Sequence, residues 1–318
     1  MPDDPAPALI IAGPTASGKS ALALDLAERL NGIIINADSM QVYRELRVLT
    51  ARPSPEDEAR VLHRLYGVRP AGEAGSVAWW RAVALSEMEA ARERGRLPML
   101  TGGTGLYFAS LTQGLSDIPA PSPEARWEAR RLLAEGGAEE LHRRLAAVDP
   151  VTAARLRPAD GQRIARAWEV WRSTGLGLSR WQAQRGAPAP WRFSAILLDP
   201  PRADLQAAIA SRFATMLEAG AVEEVRALLA LGLAPALPAM RAHGVPELAA
   251  YIQGEITLEE AGRRTELVTR QYTKRQATWF RHHLLAPRTH TIHARYAGCA
   301  QFSESESARL LSFVETVA

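Results

Sequence analysis

One eight-residue stretch constrains the fold of this chain more than any other feature. Residues 13–20 read GPTASGKS, matching G-x-x-x-x-G-K-[ST], and they lie between the apolar run ALIIAG and a helical pattern from Ser20 to Leu30. The glycines of this pattern let successive backbone N–H groups face anionic oxygens, and the following helix adds its positive N-terminal end. The stretch predicts a phosphate-binding loop but does not identify the phosphate.

The last two residues of this loop have expected roles of their own. Lys19 should neutralise the terminal phosphates, and the Ser20 hydroxyl should ligate Mg²⁺. Among 38 lysines and arginines, only Lys19 and Lys274 are lysines, which indicates that a compact ammonium is needed at position 19. The predicted phosphate-binding residues are Gly13, Pro14, Thr15, Ala16, Ser17, Gly18, Lys19 and Ser20.

Further apolar runs alternate with helical patterns along the chain, as in a parallel sheet covered on both faces. The expected fold class is α/β, a P-loop NTPase-like parallel sheet flanked by helices, with an inserted all-helical subdomain. The candidate strands are ALIIAG (8–13), GIIINAD (32–38), LPMLTGG (97–103) and FSAILLDP (193–200), with a helix around 78–95.

The pattern divides the chain into four segments. Residues 1–114 form the first part of the core, and 115–190 form a helical insertion that opens with a Pro-rich link. Residues 191–287 return to the core and end in a long basic helix around 258–286, whereas 288–318 show no interpretable pattern and are assigned as a tail.

Composition limits the class of protein. With 318 residues, 47% of them hydrophobic, the chain can bury one large core or two modest ones. Its one cysteine, Cys299, excludes a disulfide framework and a cysteine zinc site. The N-terminal apolar run is too short for a signal peptide or a membrane span, so we expect a cytoplasmic protein. The net charge of +3 does not by itself imply nucleic-acid binding.

Asp38 is the residue that the loop does not explain, because a carboxylate near phosphates is repelled unless it has a function. It ends the second candidate strand, where open parallel sheets bind their ligands. It could ligate Mg²⁺ with Ser20, orient a hydroxyl for phosphoryl transfer, or act as a general base. It could also be an N-cap, since Asp followed by Ser suits a helix or turn start.

Five motif blocks resemble one enzyme family in their order and spacing. They are GPTASGKS, NADSMQVYR followed by LTARPS, LTGGTGLYF, DGQRIARAWEVWRSTG and TRQYTKRQATWFR. Together they resemble the tRNA dimethylallyltransferases, also called tRNA isopentenyltransferases, over roughly residues 8–285.

The resemblance implies a reaction that would account for Asp38. This family moves the dimethylallyl group from dimethylallyl pyrophosphate to the exocyclic N6 amine of the adenosine 3′-adjacent to the anticodon. The loop would then bind a pyrophosphate leaving group with Mg²⁺, and Asp38 would accept the amine proton. The implied partners are the tRNA anticodon stem-loop and dimethylallyl pyrophosphate, with no membrane; we expect a monomer.

The resemblance also implies residue roles. Asp38 and Thr104 are catalytic, the Thr15 hydroxyl reaches the reacting end of the substrate, and Arg212 lies near the pyrophosphate. The implied tRNA-binding residues are Asp38, Ser39, Met40, Gln41, Thr104, Arg126, Gln162, Arg163, Ile164, Ala165, Arg166, Arg270, Lys274 and Arg275.

Each of these roles has a structural alternative. Thr104 can belong to a strand-to-helix turn, and Arg212 can lie on a solvated helix face. Trp168 and Trp171 follow Ile164 at core spacing, which favours packing over base stacking. The cations of the last helix, which include Arg281 on the same face, can be a solvated charged surface or a phosphate track.

Two rival functions stay open, and the chain departs from the family at one place. A small-molecule kinase would use Asp38 to orient a hydroxyl and Asp199 to position magnesium. A nucleotide-switched RNA-binding protein would not need Asp38. The family usually has Val-Gly-Tyr-Arg where this chain reads RAHGVPEL, so Val245 and Pro246 replace the Tyr and the Arg if Gly244 aligns, and His243 is expected to pack.

Overall fold

The structure is a computed structural model, and it describes residues 4–184, 186–298 and 304–317. Cys299, the single cysteine, lies outside the described residues. The chain divides into two compact units, one made of residues 1–112 and 189–318 and the other of residues 113–188.

The first unit contains a six-stranded sheet in which every pair of neighbouring strands is parallel, which confirms the predicted fold class. The strand order is β3-β2-β4-β1-β5-β6. The strands are β1 (Ala6–Ala12), β2 (Gly32–Asn36), β3 (His63–Arg64), β4 (Leu97–Gly102), β5 (Trp191–Leu198) and β6 (Arg288–Ile292).

Helices cover both faces of this sheet, and the alternation of side chains along β1 shows why. Ile10 packs into one hydrophobic cluster with Trp80 and Phe108, whereas the next residue, Ile11, packs into a second cluster with Leu22. Because successive side chains point to opposite faces of a strand, an apolar run such as LIIA requires cover on both sides.

The helices of the first unit are short to medium in length, apart from one. They are α1 (Lys19–Arg29), α2 (Pro55–Arg60), α3 (Val77–Glu93), α4 (Gly105–Thr112), α9 (Arg202–Glu218), α10 (Ala221–Ala230), α11 (Val245–Ile252), α12 (Leu258–His282) and α13 (Glu304–Glu315), with a 3₁₀ turn at Ala239–Arg241. Helix α12 is the long basic helix expected from the sequence. No helix among these residues, or elsewhere in the described chain, is long and apolar enough to span a membrane.

A third hydrophobic cluster positions the site. It joins the loop after β2 to α9, α10, α11 and the start of α12, through residues such as Val42, Leu46, Phe213, Val225 and Leu248. The loop is fixed further by Glu224, whose carboxylate accepts hydrogen bonds from three consecutive backbone N–H groups, at 2.7, 2.7 and 3.0 Å, those of residues 47–49. The loop is therefore held to α9 by hydrophobic packing and to α10 by hydrogen bonds.

The second unit is helical and has its own core. It contains α5 (Pro123–Val148), α6 (Pro150–Ala153), α7 (Gly161–Thr174) and α8 (Leu178–Ala183). Helix α5 is interrupted at Gly137, where φ is +74°. Trp168 is 8% exposed and packs in this core, and Trp171 is partly buried against it, which confirms the packing interpretation of both.

The segment assigned as a tail contributes to the sheet. Strand β6 pairs with β5 from Ser194↔Arg288 to Leu198↔Ile292, and α13 packs on the α1 face through Leu310 and Val314. The sequence RTHTI has only one apolar residue, Ile292, so this strand lacks the apolar run that predicted the central strands. The pairing places the residues that follow β6 beside the phosphate-binding loop.

Candidate active site

The predicted phosphate-binding loop (residues 13–20, the P-loop) connects the end of β1 to the start of α1. Ala16 and Gly18 both have positive φ, +67° and +89°. A Cβ on Gly18 would lie 2.0 Å from the backbone oxygen of Tyr296, so both the conformation and the close approach require glycine. The loop has the alternating backbone of an anion-binding nest, followed by a helix N-terminus.

Lys19 is partly buried at the end of this loop, and its Nζ donates to the Pro14 carbonyl at 3.4 Å. Burial lowers its pKa from 10.5 to about 8; the negative charge of Asp38 opposes this shift, and the positive charge of Arg212 adds to it. At neutral pH the ammonium is charged and only partly compensated, which suits it to bind an anion.

Asp38 is held in place by the residue that ends β2. The buried side chain of Asn36 accepts a hydrogen bond from Asp38 N at 2.8 Å and donates to Asp38 O at 3.0 Å. Asp38 Oδ1 accepts from Met40 N at 2.9 Å, which is an Asx turn. No helix starts at Asp38, so it is not a helix N-cap, whereas the Asx turn agrees with the turn start that the same alternative included. Oδ2 has no partner within the described chain.

Thr104 fixes the same segment from the neighbouring strand. Its Oγ1 accepts from Ser39 N at 3.0 Å and donates to Ser39 Oγ at 3.4 Å, while Thr104 N donates to Ala37 O at 3.2 Å. Gly102 must be glycine here, since a Cβ would lie 2.1 Å from the Ala37 oxygen. Thr104 thus occupies the strand-to-helix turn and also contacts Ser39, the neighbour of Asp38.

Gln276 was not predicted as a site residue, yet it joins the two glycine-containing loops. This side chain of α12 is 5% exposed. Its Oε1 accepts from Thr15 N at 2.8 Å and from Thr15 Oγ1 at 3.1 Å, and its Nε2 donates to Gly103 O at 3.0 Å. An amide on the buried face of an amphipathic helix is a sequence signal for such a contact, because buried polar groups need partners.

Arg212 is partly buried, and the solvated-face alternative for it is wrong. Its Nη2 donates to the Thr50 carbonyl at 3.3 Å, and burial lowers its pKa while the charge of Asp38 raises it. It projects from α9 toward the same space as Lys19 and Asp38.

These side chains surround one cavity of about 740 Å³. Its lining includes Thr15, Ala16, Gly18, Lys19, Ser20, Asp38, Met40, Gln41, Arg212, His243, Tyr272 and Arg295. The structure therefore brings the P-loop, Asp38 and Arg212 together. Thr104 and Ser39 do not line the cavity; they form hydrogen bonds with each other, and Ser39 is next to Asp38 along the chain. The Gln41 amide is already engaged with the carbonyls of Thr50 and Ala51, both at 3.0 Å.

His243 and Tyr272 form an aromatic wall of the cavity, with ring centroids 4.9 Å apart. Burial lowers the pKa of His243 and raises that of Tyr272. His243 packs on Tyr272, as expected, and it also faces the cavity, which the sequence did not indicate.

The predicted tRNA-binding residues on α12 are all exposed. Arg270 forms an ion pair with Glu266 at 2.9 Å, and Arg275 lies 5.6 Å from the Tyr272 ring centroid. Lys274 has no carboxylate partner among the residues described. Arg281 pairs with Asp199 at 3.4 Å.

The predicted tRNA-binding residues of the helical unit differ in exposure. Arg126, Gln162 and Arg163 are exposed, and Ala165 and Arg166 are half-buried. Arg163 and Arg166 face Asp160 and Glu169 at 3.5 and 3.7 Å. The side chain of Ile164 is fully buried in the core of this unit, so its prediction as a tRNA contact is corrected: it packs inside the helical unit and presents no surface.

The donor set limits the metal chemistry. No group of three or more His, Cys, Asp or Glu side chains that could hold a metal occurs in the described parts of the chain. The exposed hydroxyl of Ser20 lines the cavity next to Lys19. Mg²⁺ commonly binds through few protein ligands, with substrate phosphates and water completing its shell, so this set fits a magnesium–diphosphate complex.

Comparison with known proteins gives a consistent result. Residues 41–283 match the family model described as IPP transferase. The chain is 60% identical to the tRNA dimethylallyltransferase of Granulibacter bethesdensis over 96% of this chain and 97% of the relative. It is also 60% identical to that of Gluconacetobacter diazotrophicus, over 97% and 94%.

Solved structures show the same fold. A tRNA isopentenylpyrophosphate transferase from Bacillus halodurans is 31% identical, with a TM-score of 0.67 and coverage of 98% of this chain and 97% of that one. A eukaryotic dimethylallyltransferase described as acting on tRNA is 24% identical, with a TM-score of 0.80 and coverage of 97% and 79%; this likeness shows the fold alone.

Proposed function

This chain belongs to the IPP transferase family, and from that premise we propose that it is a tRNA dimethylallyltransferase. It transfers the dimethylallyl group from dimethylallyl pyrophosphate to the N6 amine of an adenosine in tRNA, the one 3′-adjacent to the anticodon. The observation that carries this proposal is the meeting of Asp38, Lys19 and Arg212 around one cavity at the end of the P-loop.

The leaving group determines most of the barrier, because an aryl amine is a poor nucleophile. As the bond between the allylic carbon and oxygen breaks, its electron pair leaves with pyrophosphate. The loop N–H groups, Lys19 and Arg212 stabilise that developing charge in a partly closed site, where fixed charges act more strongly than in water.

Asp38 completes the exchange at the other end of the substrate. As the carbon–nitrogen bond forms, the N6 amine loses a proton, and Asp38 Oδ2 accepts it. The negative charge of Asp38 also favours the positive charge that develops on the allylic carbon. General-base assistance of this kind is worth about 10²–10⁴ in rate. Asn36 and Thr104 keep the carboxylate in position.

Ser20 would hold Mg²⁺, which when bound would further neutralise the charge of the leaving group. The protein residues that act beside it are Lys19 and Arg212. The hydroxyl of Thr15 donates its hydrogen to Oε1 of Gln276. The Thr15 hydroxyl oxygen is therefore still able to accept a hydrogen bond from the cavity.

The tRNA substrate must present a base outside its stack, which costs a few kcal/mol and is least costly in a single-stranded anticodon loop. Exposed cations on α12 and in the helical unit are suited to bind its phosphates. They are Arg126, Arg163, Arg270, Lys274 and Arg275.

The kinase alternative is not favoured, because Asp199 is ion-paired with Arg281 and no carboxylate cluster for a metal accompanies it in the described chain. A binding protein without catalysis would have no use for the elaborate support of Asp38.

The test is an acceptor assay. The protein is incubated with labelled dimethylallyl pyrophosphate, Mg²⁺ and one acceptor: unmodified tRNA, the same tRNA lacking adenosine at the target position, or AMP. We expect label only in the unmodified tRNA. Label in AMP would make a free nucleotide the acceptor, and ATP hydrolysis with no labelled acceptor would favour a kinase.

A further inference from the structure

A short segment after β6 contacts the outer side of the P-loop. We call residues 294–296 the C-terminal strap. Tyr296 N donates to Ser17 O at 2.9 Å, and Arg295 Nε donates to Ala16 O at 3.1 Å. The strap lies beyond residues 41–283, which match the family model, so that model does not include it.

The strap is anchored firmly enough to position a side chain. Tyr296 is 1% exposed, packs in the core on the α1 face, and its hydroxyl donates to Asp25 at 2.5 Å. Its backbone oxygen lies against Gly18. Arg295, its neighbour, is exposed at the surface but lines the cavity that contains Lys19 and Asp38.

The hydrogen bonding of Arg295 leaves its charge available. A guanidinium has five N–H donors, and here one of them, on Nε, binds a neutral carbonyl. Arg295 has no carboxylate partner in the residues that the structure covers. The two terminal nitrogens are therefore available to bind an anion at the P-loop.

Lys19 and Arg212 have the same arrangement, since each donates to a main-chain carbonyl, of Pro14 and of Thr50. A neutral acceptor fixes the side chain without cancelling its charge. The arginines that serve the surface differ: Arg263 pairs with Glu259 and Glu260, and Arg270 with Glu266.

We propose that Arg295 binds the pyrophosphate leaving group. It would be the third cation of this site, after Lys19 and Arg212, and it comes from the C-terminal end of the chain. Its Nη1 and Nη2 donate to the diphosphate oxygens while Nε holds Ala16. The inference rests on the proposed function for the identity of the anion. It predicts that the strap contributes both the shape of the P-loop and part of its charge.

The experiment measures binding of inorganic pyrophosphate with Mg²⁺ by isothermal titration calorimetry, in the absence of tRNA. Arg295→Gln keeps an N–H donor for Ala16 O but removes the charge, and Arg295→Lys keeps the charge. We expect Arg295→Gln to weaken pyrophosphate binding by about 10- to 100-fold, the range for a lost charge-assisted hydrogen bond, and Arg295→Lys to recover part of that loss. The KM for dimethylallyl pyrophosphate should rise in parallel, with tRNA affinity unchanged.

Arg288→Gln is the matched control, because Arg288 lies in the same C-terminal segment and bonds to Thr316, away from the cavity. It should leave pyrophosphate affinity within about twofold of wild type. A twofold or smaller change in Arg295→Gln would overturn the inference. The inference would also fail if Arg295→Gln lowered both pyrophosphate affinity and Tm and Arg295→Lys recovered neither, since Arg295 would then only hold the loop.

This experiment separates the inference from the proposed function. If wild type labels tRNA but Arg295→Gln binds pyrophosphate normally, the inference alone fails. If Arg295 governs pyrophosphate affinity but no tRNA is labelled, the proposed function fails and the anion site stands.

Discussion

The cations around the cavity and the ion-paired arginines near the start and middle of α12 satisfy their hydrogen bonds in opposite ways. Lys19 and Arg212 donate to main-chain carbonyls and are partly buried. On α12, Arg263 and Arg270 are exposed and pair with glutamates three or four residues away. The charges of the first group are only partly compensated, by Asp38, in a site partly shielded from water, whereas those of the second are largely neutralised on the surface.

This difference separates cations that bind a specific anion from cations that set a surface potential. Exposed ion pairs contribute about 0–1 kcal/mol and are screened by salt. A charge held by neutral acceptors in a cavity destabilises the empty protein but binds an incoming anion strongly. Arginine counts alone do not reveal which group a residue belongs to; the partner of the guanidinium does.

The largest expected effect tests the cavity side of this comparison. Asp38→Asn retains an oxygen for Met40 N but removes the negative charge and the basic site. We expect kcat to fall by about 10²–10⁴-fold while tRNA affinity changes less than about twofold, measured by single-turnover prenylation and filter binding. Asp199→Asn, which alters a carboxylate paired with Arg281, is the control and should retain most activity. A comparable loss in the control would undermine the assignment of Asp38.

The second prediction concerns the cost of the uncompensated charge. Lys19→Met should abolish measurable pyrophosphate binding and raise Tm at pH 7 by a few degrees, because it removes a desolvated ammonium. In the folded protein the pKa of Lys19 is about 8, against 10.5 when unperturbed. Below pH 8 Lys19 is protonated in both the folded and the unfolded protein, so its burial destabilises the folded state in full. Between pH 8 and 10.5 the folded protein loses this proton while the unfolded protein keeps it, so the destabilisation is relieved as the pH rises.

The advantage in Tm of Lys19→Met should therefore shrink above pH 8. Pyrophosphate affinity of the wild type should also decline above pH 8, as the amine loses its proton. Calorimetry of both proteins from pH 6.5 to 9.5 checks both trends. A Tm difference that does not depend on pH would show that the ammonium is well solvated.

The smallest effects distinguish residues within α12. Lys274 lacks a carboxylate partner among the residues described, whereas Arg270 is paired with Glu266. Lys274→Ala should weaken tRNA binding several-fold and reduce the slope of log K against log salt by about 0.7–0.9. Arg270→Ala should change both quantities less, since its charge is already compensated. Equal slopes for the two variants would show that ion pairing does not decide which cations of α12 bind tRNA phosphates. Arg275→Ala should behave like Lys274→Ala.

Sequence patterns predicted the centre of the fold well and its edges poorly. Strands β1, β2, β4 and β5 are buried on both faces, so each is a continuous apolar run between helices. The two-residue strand β3 (His63–Arg64) has no such run, and β6 is an edge strand with polar residues. Edge strands need less burial, so composition does not distinguish them from loops.

The candidate site was predictable where chemistry lies within one motif. The spacing GPTASGKS fixes Lys19 and Ser20, and the end of a strand indicates Asp38. Contacts between distant segments were not predictable: Gln276 meets Thr15 across 261 residues of sequence, and Arg295 meets Ala16 across 279. Ile164 shows that not every residue of a family motif lies at the site, because its side chain only packs in the core of the helical unit.

The strap has a consequence for synthesis on the ribosome. The GPTASGKS segment is translated early, but Arg295 and Tyr296 follow 279 residues after the backbone groups that they hold. At about 5–20 residues per second, a nascent chain waits roughly 14–56 s for them. Until then the N-terminal half carries its anion-binding segment without the backbone contacts that shape it. If the strap binds pyrophosphate as proposed, the complete anion site forms only after the residues that follow β6 have been synthesised.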